Sequence, residues 1–489
     1  MDTIPGVLTH AAATWPDATA LYDDAGDPIT FGSLQTRVHI AAAALVARGL
    51  EPGGRVALTA PNTAAWAVAN LAVLTAGGVV VPLNHRSRAA EQQEILDRAG
   101  CAFELRVREL MEFAAAPTGR DAHSSYSELA TRAPTPDAVS HVQFTSGTTG
   151  LPKGVMLTHR GMVETTRAWV EIVGLGPGDR YPVVNPFSHI GGHKTGLLAA
   201  LVAGATVYPV GSFDASAVAT LVDREAITFL QGPPAMFQGL LDAVIARGTP
   251  PPTSVRVAVT GSANIPPALV ARMQATLTLD AVHAGYGLTE ATGVCTITRA
   301  DDPLDVVTRT SGRAIPGVEV CIRDARAAGD EGEILVRGPG VMRGYLDDDA
   351  ATAAAIDADG WLATGDVGAL DADGNLEIRD RLKDMVIVGG FNAYPAEIER
   401  ILAEHDGVQQ VAVVGVPDER LGEVPVAFVV RAPNHPPTDA QLLDFTRERL
   451  ATYKVPRAIF FLNELPMNAI PKVDKVVLAN LARELITRA

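Results

Sequence analysis

The chain reads as an α/β protein: a large N-terminal domain of doubly wound, mostly parallel sheets with a small barrel-like β subdomain, and a smaller α+β C-terminal domain. Three observations predict this. Short apolar runs alternate with helix-period stretches through the N-terminal part. From about Ser311 the pattern becomes short β runs separated by Gly and Pro turns. After the charged Arg381-Leu382-Lys383-Asp384, helical patterns alternate with apolar strands in a unit of ordinary domain size.

Thr30-Phe31-Gly32-Ser33 opens a long Ala/Leu/Val pattern that Gly49 stops, which is an amphipathic helix with a glycine at its C-terminal end. Residues 55–60, 64–75 and 79–83 follow as strand, apolar helix and strand, the rhythm of a parallel sheet. The uncharged stretch 57–84 is broken by Pro61, Asn62, Asn70, Gly77 and Gly78, so buried strand and helix are expected rather than a membrane span. Residues 113–139, with many Ala, Pro and Ser, read as a surface connection. The strand rhythm returns at 205–210, 227–231 and 255–261. The β subdomain takes 318–322, 333–336 and 375–378, with the turn-rich run 337–345 between the last two. The C-terminal unit is read as helices at 395–405 and 439–451 and strands at 411–416, 425–430 and 459–462.

Composition narrows the class. Hydrophobic residues make 47% and charged ones 20%, as in soluble globular proteins. The formal charge of −16 argues against nucleic acid or an anionic membrane as the main partner, so an anionic ligand needs locally placed cations and N–H groups. Cys101, Cys295 and Cys321 are scattered without metal-ligand spacing and read as free thiols in a reducing compartment. The N-terminus lacks the basic and apolar regions of a signal peptide, and a cytoplasmic location is expected.

Two stretches carry most of the chemistry. Phe144-Thr145-Ser146-Gly147-Thr148-Thr149-Gly150-Leu151-Pro152-Lys153-Gly154 lies between strand-like runs, and its glycines, hydroxyls and lysine suit a loop wrapped around a polyanion. Its spacing is not that of GxxxxGK(S/T), and a flexible Gly/Thr hairpin is the other reading. Tyr286-Gly287-Leu288-Thr289-Glu290 follows an apolar strand, at the edge where open α/β sheets bind ligands. A tyrosine ring can face a purine, a threonine hydroxyl can meet a phosphate oxygen and a carboxylate can hold Mg²⁺ beside a triphosphate. Taken alone, the segment reads more readily as an ordinary strand-to-helix turn.

Together these segments resemble the signature of the adenylate-forming superfamily of acyl-CoA synthetases, peptide-synthetase adenylation domains and luciferases, with matching elements in order from Tyr22 to Lys472. The resemblance implies that Thr145, Ser146, Gly147, Thr148, Thr149 and Lys153 bind ATP, that Tyr286 packs on adenine, that Thr289 meets the α-phosphate and that Glu290 holds Mg²⁺. Gly261-Ser262-Ala263-Asn264 resembles the segment along the adenine edge, with Asn264 where proline is usual; Ser262 or Asn264 also suits a helix N-cap. By the same resemblance Asp366 accepts from the ribose hydroxyls, as an ionised carboxylate can, and Arg381 is the second ribose contact. Lys472 is implied as the catalytic lysine, bridging the attacking oxygen and the α-phosphate. Pro471 stands before it where glycine is usual, which makes Lys475 a second candidate.

Lys383 aligns with the hinge around which the small domain swings, dividing the chain into domains 1–381 and 382–489, and Gly389 and Gly390 would approach CoA after the swing. Pro186-Phe187-Ser188-His189-Ile190-Gly191-Gly192-His193-Lys194-Thr195-Gly196 resembles the acyl-pocket segment, with His189 at the catalytic gate and Met236, Gly261 and Gly285 adding to the wall. His193 and Lys194 read either as polar selectors or as helix-start residues facing water. Gly285 stands where dicarboxylate-selecting members tend to carry arginine, which implies a monocarboxylic acid. The runs 187–196 and 286–296 most resemble ligases that activate cyclic propanoates in steroid-ring breakdown.

The reaction implied is acid plus Mg²⁺-ATP to acyl-adenylate and pyrophosphate, then displacement of AMP by CoA, favoured as acceptor because the chain ends soon after Lys472. An amine acceptor, with a small acid or an oxyanion such as nitrite activated, is one alternative; a nucleotide-binding homologue without turnover is another. The expected partners are the acid, ATP and CoA, with a homodimer as a candidate assembly.

Overall fold

The computed structural model describes residues 2–107, 109, 129–145, 152–248, 252–261, 265–382, 384–418, 420–432, 436–467 and 473–488. They form two compact units, Met1–Val320 with Leu335–Ala363, and Cys321–Ile334 with Thr364–Ala489.

The first unit is built on three sheets. The largest uses β1 (Arg55–Thr59), β2 (Val79–Leu83), β3 (Phe103–Arg106), β4 (Val139–Thr145) and β5 (Lys153–Thr158). Across it the order is Gly344–Tyr345, β5, β4, β2, β1, β3. β1 runs parallel to β2 and β3, and β2 parallel to β4, whereas β4 and β5 form an antiparallel hairpin. The uncharged stretch is what its breaks predicted: helix α1 (Ala64–Thr75) is buried on every side and starts where the Thr63 hydroxyl accepts from Trp66 N at 3.1 Å. Among the described residues no helix is long and apolar enough to cross a membrane.

The second sheet carries β6 (Phe229–Gly232), β7 (Val257–Gly261), β8 (Ala281–Tyr286), β9 (Thr296–Ile297) and β10 (Arg313–Ala314), in that order. β6, β7 and β8 are parallel; β8, β9 and β10 are antiparallel. The sheets are therefore mixed, parallel at their centres and antiparallel where a short loop returns the chain, since only a long crossover can join parallel neighbours. Helices Pro234–Ala246 and Pro267–Thr276 lay Phe237, Leu240, Leu269 and Met273 on Leu230, Ala258 and Val282 of this sheet. The third sheet has the order Pro28–Thr30, Thr19–Tyr22, Thr206–Pro209, Arg180–Val183.

The short strands expected after Ser311 form a four-stranded sheet in the order Glu319–Ile322, Gly332–Arg337, Leu362–Leu370, Leu376–Arg381. Further along the second unit, the long hairpin Val408–Asp418 and Gly422–Arg431 is joined by Ala458–Phe461 in parallel. Successive side chains face opposite ways. Val413, Ala427 and Val429 meet Ile398, Leu402 and Leu442 of helices Pro395–Ala403 and Asp439–Arg447, while Ala412, Val414 and Phe428 meet Leu478 and Ala482 of helix Lys475–Arg488. That last helix is absent from the sequence reading because Val476 and Val477, both exposed, blur its apolar period. Of the proposed surface connection 113–139, residues 113–128 lie outside the described residues, and its end is already strand β4.

Candidate functional site

In the first unit, Thr145 and Lys153 are paired opposite each other at the loop end of the β4–β5 hairpin. The arms thus bring the two ends of the glycine- and hydroxyl-rich loop together; Ser146, Gly147, Thr148 and Thr149 lie outside the described residues. Lys153 Nζ sits 4.7 Å from the ring centroid of Tyr345. The Tyr345 hydroxyl donates to Glu290 Oε1 at 3.1 Å. Lysine, phenol and carboxylate from three separate segments are therefore in series. Burial, with the Glu290 charge beside it, pushes the Tyr345 phenol well above its ordinary range. A cleft of about 210 Å³ opens here, lined by Arg98, Phe144, Lys153, Tyr345, Asp347 and Asp348 among others.

Thr289 and Glu290 stand in the short 3-10 turn Thr289–Ala291 after β8. The neighbouring segment clasps the turn: Met342 N donates to Glu290 O at 2.7 Å and the Thr292 hydroxyl donates to Gly340 O at 2.5 Å. Tyr286 is the last residue of β8 and is 8% exposed. Gly261 and Gly285 are register partners across β7 and β8, and a Cβ on Gly261 would come 2.6 Å from Gly285 O. Two positions without side chains therefore adjoin at the carboxyl ends of parallel strands, where α/β sheets bind ligands. Ser262, Ala263 and Asn264 lie outside the described residues.

The histidine-rich segment is held by Asn62, whose amide donates to Val183 O and Asn185 O at 2.9 Å each and accepts from Phe187 N at 2.6 Å. Gln143, on β4 just before the loop, donates to Ser188 O at 3.0 Å. His189 caps the following turn, its Nδ1 accepting from Gly191 N at 3.1 Å. His193 and Lys194 open a π-helical turn, His193–Leu198. Both are buried, Lys194 completely, which overturns the reading of them as helix-start residues facing water. His193 stacks on His141 at 4.6 Å and its Nδ1 meets Phe187 O at 3.0 Å. Burial pushes His193 down to about 3 and Lys194 down to about 7. Met236 lies in the apolar core of the second sheet, against Gly232.

In the second unit, Asp366 and Arg381 are register partners on antiparallel strands, so their side chains share a face. Arg381 Nε lies 3.4 Å from Asp366 Oδ1. Gly389 and Gly390, both with positive φ (57° and 87°), make the two-residue turn between strands Val386–Val388 and Phe391–Ala393, a conformation that favours glycine. Lys383 and Lys472 lie outside the described residues. Lys475, the second candidate for the catalytic lysine, pairs with Glu399 at 2.9 Å. Burial opposes its charge, but Glu399 and Asp380 outweigh it and raise its pKa. It is bound into the packing of its own unit.

Sequence reading missed Tyr345, Asn62 and Gln143. Tyr345 sat in a run read only as turns. Asn62 and Asn70 were read as breaks in an apolar stretch; a polar residue inside such a run is the signal that would have found them, because a buried amide needs partners. Asn70 meets His141 Nε2 at 3.1 Å. Among the described residues no cluster of three or more His, Cys, Asp or Glu forms a ready-made metal site.

Residues 8–346 match the profile of the AMP-binding enzyme family, and residues 397–472 that of the AMP-binding enzyme C-terminal domain. The chain is 44% identical over 508 positions, covering 98% of itself and 99% of its relative, to a (7a-methyl-1,5-dioxo-octahydro-1H-inden-4-yl)propanoyl:CoA ligase of Mycobacterium tuberculosis. It is 45% identical over 514 positions, at 97% and 98% coverage, to the ligase of the same name from Rhodococcus jostii. The crystal structure of ATP-bound MatB from Rhodopseudomonas palustris superposes with a TM-score of 0.86 at 29% identity, over 98% of this chain and 99% of that one. Matched by both family profiles and by these relatives almost from end to end, the chain belongs to the AMP-binding enzyme family.

Proposed function

We infer that the chain is an ATP-dependent carboxylic acid:CoA ligase of the AMP-forming kind. The acid's carboxylate oxygen attacks the α-phosphorus of ATP and pyrophosphate leaves; the CoA thiol then attacks the acyl carbon and AMP leaves, giving the thioester. The observation that carries this is the 44–45% identity, nearly end to end, with two propanoyl:CoA ligases. By the same likeness the acid is a fused or single ring bearing a propanoate arm.

The roles proposed for the site residues are those that the family resemblance implies. Lys153, with Thr145 and the loop residues Ser146, Gly147, Thr148 and Thr149, grips the phosphates. Tyr286 and the segment Ser262, Ala263 and Asn264 flank adenine, and Thr289 meets the α-phosphate. Asp366 and Arg381, which share a face, hold the ribose. Glu290 suits Mg²⁺, which uses one or two carboxylates beside phosphate oxygens; the Tyr345 hydrogen bond orients that carboxylate. When bound, the ion neutralises charge building on the phosphates. Lys472 stabilises the crowded anionic transition state. Domains 1–381 and 382–489 turn about Lys383, and Gly389 and Gly390 then meet CoA. His189, His193, Lys194, Met236, Gly261 and Gly285 form the acyl pocket.

The test is pyrophosphate exchange with Mg²⁺-ATP across ring propanoates, aromatic, fatty and small acids, followed by CoA-dependent thiol consumption. Ring propanoates are expected to give the fastest exchange and to consume CoA, and Lys472→Ala to abolish exchange. Product formation indifferent to CoA but dependent on an amine would replace this reading with the amide-forming one. Release of ADP and orthophosphate would overturn it.

A further inference from the structure

Lys194 is the strongest unexplained group in the first unit. Its side chain is 0% exposed, and its ammonium nitrogen has no hydrogen-bond partner among the described residues. A buried donor without an acceptor carries a desolvation cost that a folded chain rarely keeps without use. The backbone around it is also irregular, because Lys194 stands at the start of the π-helical turn His193–Leu198, and π turns recur at functional sites.

The neighbours of the turn place it. Thr195 accepts from Gln231 Nε2 at 2.9 Å, which ties the turn to β6, the parallel neighbour of β7. Ile190, in the turn that leads into Lys194, lies against Gly293, where an added Cβ would come 2.9 Å from Ile190 Cγ1, and Cys295 N donates to Tyr286 O at 2.8 Å. The segment carrying the lysine thus runs beside the chain that returns along the carboxyl end of β8, where Gly285 and Gly261 adjoin without side chains. Burial pushes the Lys194 pKa down to about 7. Ammonium and neutral amine both present N–H donors, so its capacity to donate does not depend on which form is present.

We propose that Lys194 selects the acid by donating a hydrogen bond to a neutral ring oxygen, a ketone, remote from the reacting carboxylate. The inference rests on the ring-propanoate reading above and adds a requirement that shape alone does not impose. A site with a buried donor rejects an analogue that lacks the acceptor much more strongly than an apolar pocket rejects a change of size, because the donor is left unpaired.

The test compares kcat/KM for 3-(2-oxocyclohexyl)propanoate and 3-(4-oxocyclohexyl)propanoate with that for 3-cyclohexylpropanoate, in wild type, Lys194→Met and Lys194→Gln. The expected result has three parts. Wild type favours at least one oxo acid by about tenfold or more. Lys194→Met loses that preference, its ratio of kcat/KM for the oxo acid over the acid without the ketone falling to near one, and Lys194→Gln, which keeps an N–H donor, retains part of it. Equal losses on all acids in Lys194→Met, or an unchanged preference, would assign the lysine a purely structural role and overturn the proposal. So would a wild type that uses the oxo and deoxo acids equally, which leaves the ring-propanoate reading standing. No turnover of any of these acids by wild type, alongside turnover of another class, would instead remove that reading, and the proposal with it.

Discussion

Lys194 also makes a stability prediction that does not depend on its role. Its folded pKa of about 7 lies below the ordinary lysine value, so between those two pH values the unfolded chain holds a proton that the folded chain does not. Wild-type stability therefore rises as pH climbs through that window. Lys194→Met removes the burdened charge, so it should be more stable than wild type by on the order of a few kcal/mol at pH about 6.5, with the difference shrinking toward pH about 10. Urea unfolding of both proteins at the two pH values checks this; a difference that does not change with pH would contradict it. Tyr345 makes a different residue-scale prediction. Tyr345→Phe deletes the 3.1 Å hydrogen bond to Glu290 and leaves the ring under Lys153. It should raise the Mg²⁺ concentration for half-maximal pyrophosphate exchange by roughly three- to tenfold, the scale of one partly exposed bond to a carboxylate, with little change in melting temperature.

At the scale of elements, the histidine segment is positioned by a residue far away in the chain. Asn62 satisfies two carbonyls and one N–H of residues 183–187, which belong to no helix and, past Val183, to no strand. Asn62→Ala would orphan Asn185 O and the Phe187 N–H at once, while Val183 O keeps its bond from Val210 N at 3.1 Å, and is expected to cost about 2–4 kcal/mol in denaturant unfolding. It should also raise KM for the acid more than KM for ATP. The adjoining β7 and β8 make a second point. Gly261→Ala puts a methyl group 2.6 Å from Gly285 O, so the parallel strands must part, at a cost of about 1–3 kcal/mol and with loss of acid-dependent exchange.

For the molecule as a whole, acid stability is governed by histidines buried without charge. Burial pushes His159 down to about 4, His193 to about 3 and His141 well below its ordinary value, with His193 and His159 each disfavouring charge on His141. Below the unfolded histidine pKa of about 6.5 the unfolded chain binds protons that the folded chain refuses, so stability is lost as pH falls from about 6.5 to 4. Each histidine contributes up to about 1.4 kcal/mol per pH unit in that window. Unfolding free energies at pH about 7.5, 6 and 5 test it, and His159→Gln should flatten the curve.

The alternation of apolar strand and helix was enough to place the parallel centres of the sheets, since burial on both faces leaves a continuous apolar run that no other element explains as well. The ordered motifs, by their resemblance to the family's, singled out Thr145 and Lys153, Glu290, and Asp366 with Arg381, and the structure pairs Thr145 with Lys153 and Asp366 with Arg381 across antiparallel strands. Local pattern could not decide which way Lys194 and His193 point, whether Lys475 is available, or that Tyr345 lies between Lys153 and Glu290. Those are contacts between residues far apart in the chain, and partner and burial exist only once the segments have packed.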